Sequence, residues 1–275
     1  MLLTPPRALL LDDDNLLARV STSPFGVNIA TPGTAHTKSS WVQMIASVPF
    51  DVYGFAVNIG SLSQGANNTS ILADIGIGAT PDILVANIGM GYCGPPRPVF
   101  FPLYIPAGTQ IQARFQAAFV TAFAANVDFW IWLMGGNGTD IPFCGTRCVT
   151  YGANTTTSRG VQVTAGSTNA EGTYATIGTA AEAHRALVLS PQANGDTTLN
   201  NQYFYIDVCA DGGTSRTDAD FEDMIWWTEN AEHVNGPHPY LIPQMNIRSG
   251  DNIRARASTS GSTNRDIDVI AHGIS

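Results

Sequence analysis

Gly94-Pro-Pro-Arg-Pro-Val-Phe-Phe-Pro102 is answered in the second half of the chain by Gly236-Pro-His-Pro-Tyr-Leu-Ile-Pro243. Each stretch is a glycine, a proline-rich turn, three apolar residues and a closing proline. The match continues downstream, where Ile105, Gly108, Ile111 and Arg114 correspond to Ile247, Gly250, Ile253 and Arg256. Both copies close on an alternating segment, Val127-Asp128-Phe129-Trp130 and Ile267-Asp268-Val269-Ile270. Upstream the order of features is also kept. Phe25-Gly-Val-Asn-Ile29 precedes Trp41-Val-Gln-Met-Ile45, Tyr53-Gly-Phe-Ala-Val57 and Ile71-Leu-Ala-Asp74-Ile75. Their counterparts are Gly160-Val-Gln-Val163, Tyr174-Ala-Thr-Ile177, Arg185-Ala-Leu-Val-Leu189 and Phe204-Tyr-Ile-Asp207-Val208. A run of landmarks recurring in order is the mark of a duplicated unit.

Within one unit the apolar residues alternate with polar ones, as in Phe55-Ala-Val-Asn-Ile59, Gln110-Ile-Gln-Ala-Arg-Phe115 and Asp251-Asn-Ile-Arg-Ala-Arg256. That period of two is the pattern of a half-buried strand. Clusters of Gly, Pro, Asn and Ser separate the runs, at 61–68, 94–98, 135–138, 193–195 and 258–264. About eight short strands per unit at this spacing predict a β-sandwich of jelly-roll type. The expectation is therefore an all-β chain of two tandem, internally homologous β-sandwich domains, 25–150 and 151–275, preceded by an N-terminal arm, 1–24. Two short segments, Asp12–Val20 and Thr217–Trp227, carry acidic residues that suit a helix cap and are candidates for short helices. The arm's apolar residues, Leu9, Leu10, Leu11, Leu16 and Leu17, need a surface to cover them, on their own domain or on a neighbouring subunit.

The 275-residue chain is 44% hydrophobic, enough for a sizeable core, and only 13% charged. Its net charge is −9, and Lys38 is its single lysine. A nucleic-acid binder needs a basic stripe and a membrane-surface protein needs a basic patch, and the twelve scattered arginines supply neither. Few lysines suit a chain that buries much of its surface against neighbours, and suit compositional drift equally well. The Leu runs of 1–20 are broken by Asp12-Asp-Asp14 and follow no basic stretch, so no signal peptide is expected. No apolar run reaches the length of a membrane span. Cys93, Cys144, Cys148 and Cys209 are too scattered for a disulfide framework and predict free thiols in a reducing compartment. Cys144-x3-Cys148 is a lone pair without the second pair a metal site requires, so no metal is expected.

Signatures of catalysis are missing from the sequence: no nucleophile elbow, phosphate loop, dinucleotide fingerprint or H-E-x-x-H. No catalytic residue and no cofactor are assigned. His36, His184, His233, His238 and His272 are far apart in sequence, although His184 and His272 fall in strands of the second unit and have the chance to meet. Asp74 and Asp207 occupy equivalent places in the two units, as do Asp128 and Asp268. A residue kept in both copies answers a structural need more readily than it makes two active sites. Asp218-x-Asp220-x-Glu222 lacks the glycine and terminal glutamate of a calcium loop. The sequons at Asn67, Asn137 and Asn154 carry little weight without a secretory signal.

Aromatic residues are the remaining candidates. Trp130 and Trp132 share one face of Phe129-Trp-Ile-Trp-Leu-Met134, a segment apolar enough to be buried on both sides, in the core or at a contact between domains or subunits. Trp226-Trp227, beside an acidic stretch, and Tyr240 are candidates for a protein interface or a sugar-stacking platform.

Phe100-Phe-Pro-Leu-Tyr-Ile-Pro-Ala-Gly-Thr-Gln-Ile-Gln-Ala-Arg114 resembles segments of virion structural proteins of tailed bacteriophages. The likeness extends to the Gly/Ala/Thr/Asn-rich, lysine-poor, tandem β-sandwich character of the whole chain. It implies a non-enzymatic particle component: a capsid decoration or minor capsid protein, a collar or tail part, or a host-attachment protein. Such a chain would assemble in the host cytoplasm into the virion. Its partners would be copies of itself and other virion proteins, with a host-surface glycan as a further candidate. The alternative reading is a carbohydrate-binding module using Trp226 and Trp227.

Overall fold

The computed structural model describes residues 17–19, 26–30, 32–62, 70–91, 98–118, 126–135, 143–153, 157–193, 202–212, 218–230, 233–235, 240–261 and 265–275. Among them are nineteen strands and no helix. The first nine are β1 (Leu17–Arg19), β2 (Val27–Ile29), β3 (Val42–Ile45), β4 (Val52–Leu62), β5 (Ser70–Ile77), β6 (Asp82–Gly91), β7 (Val99–Phe101), β8 (Ile111–Ala117) and β9 (Val127–Gly135). The other ten are β10 (Cys148–Tyr151), β11 (Val161–Thr164), β12 (Ala175–Thr179), β13 (His184–Ala193), β14 (Gln202–Asp211), β15 (Phe221–Asn230), β16 (His233–Asn235), β17 (Tyr240–Ile247), β18 (Asn252–Thr259) and β19 (Asp266–Ile274).

They form four antiparallel sheets. β1-β9-β4-β7 and β3-β8-β5-β6 make the first sandwich, and β10-β19-β13-β17 and β12-β18-β14-β15-β16 make the second. The orders are the same in both once β16, a continuation of the β15 hairpin, is set aside. Apart from the β5–β6 and β14–β15–β16 hairpins and the paired edge strands, successive strands cross between the two sheets as in a jelly roll. The edge beside β9 is shared by two short strands, β1 against Trp132–Met134 and β2 against Val127–Phe129. The edge beside β19 is shared in the same way by β10 and β11. Leu17–Arg19, expected inside the arm, is thus a sheet strand equivalent to β10.

Each sandwich buries its own core. Phe55, Phe101, Phe115 and Phe129 fill the first, and Phe204, Trp226, Leu187 and Val269 the second. In β9, Phe129, Ile131 and Leu133 are fully buried while Trp130, Trp132 and Met134 on the other face stay partly exposed. Within one chain the segment is therefore buried on one face only, and its apolar character comes from large aromatics lying on the outer face. Neither segment proposed as a short helix is one where the structure describes it. Residues 17–19 pair with β9. Phe221–Asn230 is a strand because Met224 and Trp226 must alternate into the core while the backbone pairs with β14.

Glycine is required where the interrupted edges re-enter. Gly26 and Gly160 have φ of 102° and 140° and precede β2 and β11. A Cβ on Gly160 would come within 2.7 Å of the Val269 backbone.

Candidate functional site

Three places hold the polar and aromatic residues of interest: a braced bulge in each sandwich, the junction between the sandwiches, and the outer face of the first one.

The bulges explain the duplicated aspartates. Asp74 lies at a register shift between β5 and β6, and Asp207 at the corresponding shift between β14 and β15. Opposite each shift a residue turns to positive φ, Asn87 at 53° and Asp223 at 56°. Its N–H donates to the aspartate, 2.8 Å to Asp74 Oδ1 and 2.9 Å to Asp207 Oδ1. The second carboxylate oxygen accepts from an arginine Nε, Arg114 at 2.8 Å and Arg256 at 3.0 Å. Each guanidinium lies on an aromatic ring, Arg114 4.4 Å from the centroid of Trp41 and Arg256 4.7 Å from that of Tyr174. A third charge completes each cluster. Lys38 donates to Asp74 Oδ1 at 2.7 Å, and Glu171 pairs with Arg256 at 2.6 Å. The lone lysine is thus internal: it also reaches the Leu72 carbonyl and Asn87, and burial lowers its pKa against the opposing pull of Asp74. With their lone pairs committed to backbone and guanidinium, these carboxylates act as bulge braces.

The junction is formed by the β6–β7 edge of the first sandwich and the outer face of β10-β19-β13-β17. Ala186, Val188 and Ile274 of that face belong to the first sandwich's core, and Leu72 packs with Ile270. His272 is fully buried there, edge-on to Phe101 at 5.6 Å. The Thr150 hydroxyl donates to the Ala86 carbonyl at 2.9 Å, so it can only accept from His272 Nδ1–H at 3.1 Å. Nε2, unprotonated, then accepts from Ser190 Oγ at 3.1 Å. Burial holds the imidazole neutral and pushes its pKa down to about 3. His184 does not share this site. It accepts at Nε2 from the Tyr151 hydroxyl, at 2.6 Å, while that oxygen accepts from Ala181 N–H. His272 has the partner types of a serine nucleophile's base, but the site is sealed.

The other candidates from sequence scatter. Trp226 is wholly buried in the second core, and an indole out of reach of solvent offers neither a sugar platform nor a docking surface. Trp227 lies in β15 opposite Tyr203, and Tyr240 opens β17; their side chains lie outside the described part of the structure. Trp130 and Trp132 do lie together, 6.5 Å between ring centroids, on the outer face of β9. Cys144 and Cys148 both have thiols raised by burial, Cys148 to about 12, which works against the thiolate a metal needs. Cys93, His238 and the three sequons lie outside the described residues. Asp268 pairs with Arg159 at 3.2 Å, and burial raises its pKa to about 6. Asp128 instead accepts from Asn28 at 2.7 Å. Sequence reasoning missed a groove of about 590 Å³ lined by Asp211, Asp220, Asp251, Arg248, Phe221 and Met245. Its acids are engaged: Asp220 accepts from Ala210 N–H, Asp251 from Arg248 N–H, and Asp211 pairs with Arg254.

The fold and its braces define a tandem jelly-roll protein. No protein-family model matches the sequence, and no curated protein matches it. Among solved structures, the chain is similar to the major capsid protein of STIV, Sulfolobus Turreted Icosahedral Virus, at 9% identity and a TM-score of 0.38, covering 94% of this chain and 95% of that one. It is similar to PNGF-II at 7% identity and a TM-score of 0.39, over 95% of this chain and 65% of that one. A tandem CBM22 pair from Paenibacillus barcinonensis Xyn10C follows at 8% identity and a TM-score of 0.26, over 96% and 92%. At such identities and scores these likenesses carry no information on function.

Proposed function

We propose that the chain is a non-enzymatic structural subunit of a virus particle, of the tailed-bacteriophage type that the Phe100–Arg114 segment resembles. The observation that carries the reading is how the duplicated polar residues are used. Asp74, Arg114, Asp207 and Arg256 are spent on bracing bulges, and His272, which has no histidine counterpart in the first unit, is buried at the junction. Both units are built for shape. Jelly rolls serve capsids and lectins alike, so the fold leaves both open and the site must choose. The lectin alternative placed its platform on Trp226 and Trp227, and the burial of Trp226 in the core takes one of the two rings from it. The subunit acts through self-assembly, joining copies of itself and other virion proteins after synthesis in the host cytoplasm.

Light scattering and negative-stain electron microscopy of the purified full chain test this. The expected result is an ordered multi-subunit assembly that grows with concentration. A strict monomer at the highest attainable concentration would refute the structural role.

A further inference from the structure

The two sandwiches meet unlike surface to unlike surface: the β6–β7 edge of the first covers the outer sheet face of the second. The covered face has a residue-by-residue twin in the first sandwich. Val188 pairs with His272 as Ala56 pairs with Trp132; Ala186 with Ile274 as Gly54 with Met134; Ser190 with Ile270 as Asn58 with Trp130. Leu241 stands opposite Val188 as Phe100 stands opposite Ala56. The twin face is the more aromatic, and Phe100, Trp132 and Met134 on it are partly exposed.

The covering edge also has a twin. Gly89 and Val85 of β6 correspond to Ile225 and Phe221 of β15, by their pairing with Leu72 and Ile75 in one sheet and with Tyr205 and Val208 in the other. Ile225 is 42% exposed and Phe221 38%, among the few large apolar side chains at the surface of the described residues.

We infer that the outer face of β1-β9-β4-β7 is a docking site for a second copy of this chain, which presents its β15 edge and so repeats between molecules the contact already made within one. Two complementarities favour this occupant. At the internal junction Gly89 lies so close to Gln192 that a Cβ would meet its Nε2 at 2.1 Å. In the repeated contact the bulky partner is Ile225, and the residues in the place of Gln192 are the small Gly60 and Ser61, beside a bulge of β4. Large against small is kept, with the sides exchanged. At the internal junction Thr150 meets the Ala86 backbone. The matching register positions hold Arg19 on β1, opposite Trp132, and the exposed Glu222 on β15. The neutral pair is replaced by residues of opposite charge. Because the two surfaces differ, copies add head to tail and close into a ring or continue as a filament.

The inference rests on the structural-subunit reading, and the test separates them. Trp132→Glu and Ile225→Glu each put a carboxylate into the contact. Each is expected to weaken association of the full chain at least about a hundredfold in sedimentation. An equimolar mixture of the two variants retains one intact surface on each partner and should form a complex of two chains and no larger. Arg19→Glu and Glu222→Arg should each weaken assembly, and together restore it; both act through charge alone, and urea titration checks that every variant is folded. Assembly that survives Ile225→Glu and Glu222→Arg overturns the inference while leaving the structural role standing. So does loss of assembly from the face variant only, with no complex in the mixture, the outcome for face-to-face pairing or for residues 1–16 as the occupant. A wild-type chain that never associates overturns both.

Discussion

Acidification should cost the fold stability at one residue, His272, a loss that a second residue offsets in the wild type. Its pKa is about 3 in the folded state against an ordinary 6.5, because the ring is fully buried between the sandwiches. The folded state therefore binds fewer protons than the unfolded chain at every pH between those values, and stability falls as the pH falls through that window. Relative to neutral pH the loss is about 2 kcal/mol at pH 5 and about 3 kcal/mol at pH 4. Asp268 works the other way. Its pKa is raised to about 6 from 3.8, so the folded state takes up a proton first and gains up to about 3 kcal/mol as the pH falls from above 6 to below 3.8. The two nearly cancel in the wild type, so a pH profile of the unaltered chain hides both. Comparison with His272→Gln separates them, since glutamine can still meet Thr150 and Ser190 but does not titrate. Urea unfolding of both proteins from pH 7.5 to 4 should show the variant gaining on the wild type by about 3 kcal/mol over the range. A difference in unfolding free energy that stays constant across that range would refute the reasoning, because it would mean that His272 titrates alike in the folded and unfolded chains.

Two further perturbations test the core and the braces. Trp226→Ala should cost about 3–5 kcal/mol in urea unfolding, as for any large buried aromatic; a cost below about 1 kcal/mol would put the indole at the surface after all. Asp74→Asn should destabilise more than Asp207→Asn, by about 1–2 kcal/mol. The first leaves Lys38 and Arg114 together without their acid, whereas the second leaves Arg256 still paired with Glu171; equal costs in thermal or urea unfolding would contradict this.

The duplication, the strand periodicity and the structural use of Asp74 and Asp207 were legible in the sequence, because each is local or is written twice. A period of two in Asp251-Asn-Ile-Arg-Ala-Arg256 shows that the two faces of that strand differ, and the repeated spacing shows that Asp74 and Arg114 belong to one unit. The same local information misleads at Trp226-Trp227, where the acidic residues of Thr217–Trp227 suggest a short helix. Pairing with β14 makes a strand there and turns Trp226 inward. The aligned copies also carry Trp132 and His272 at one position with opposite fates, one partly exposed and one sealed. Strand periodicity is set by the backbone of each residue and its neighbours in sequence. What lies over a sheet's outer face is set by how a separate folded unit docks there, and that is decided only when both sandwiches exist and the first has laid its edge on the second.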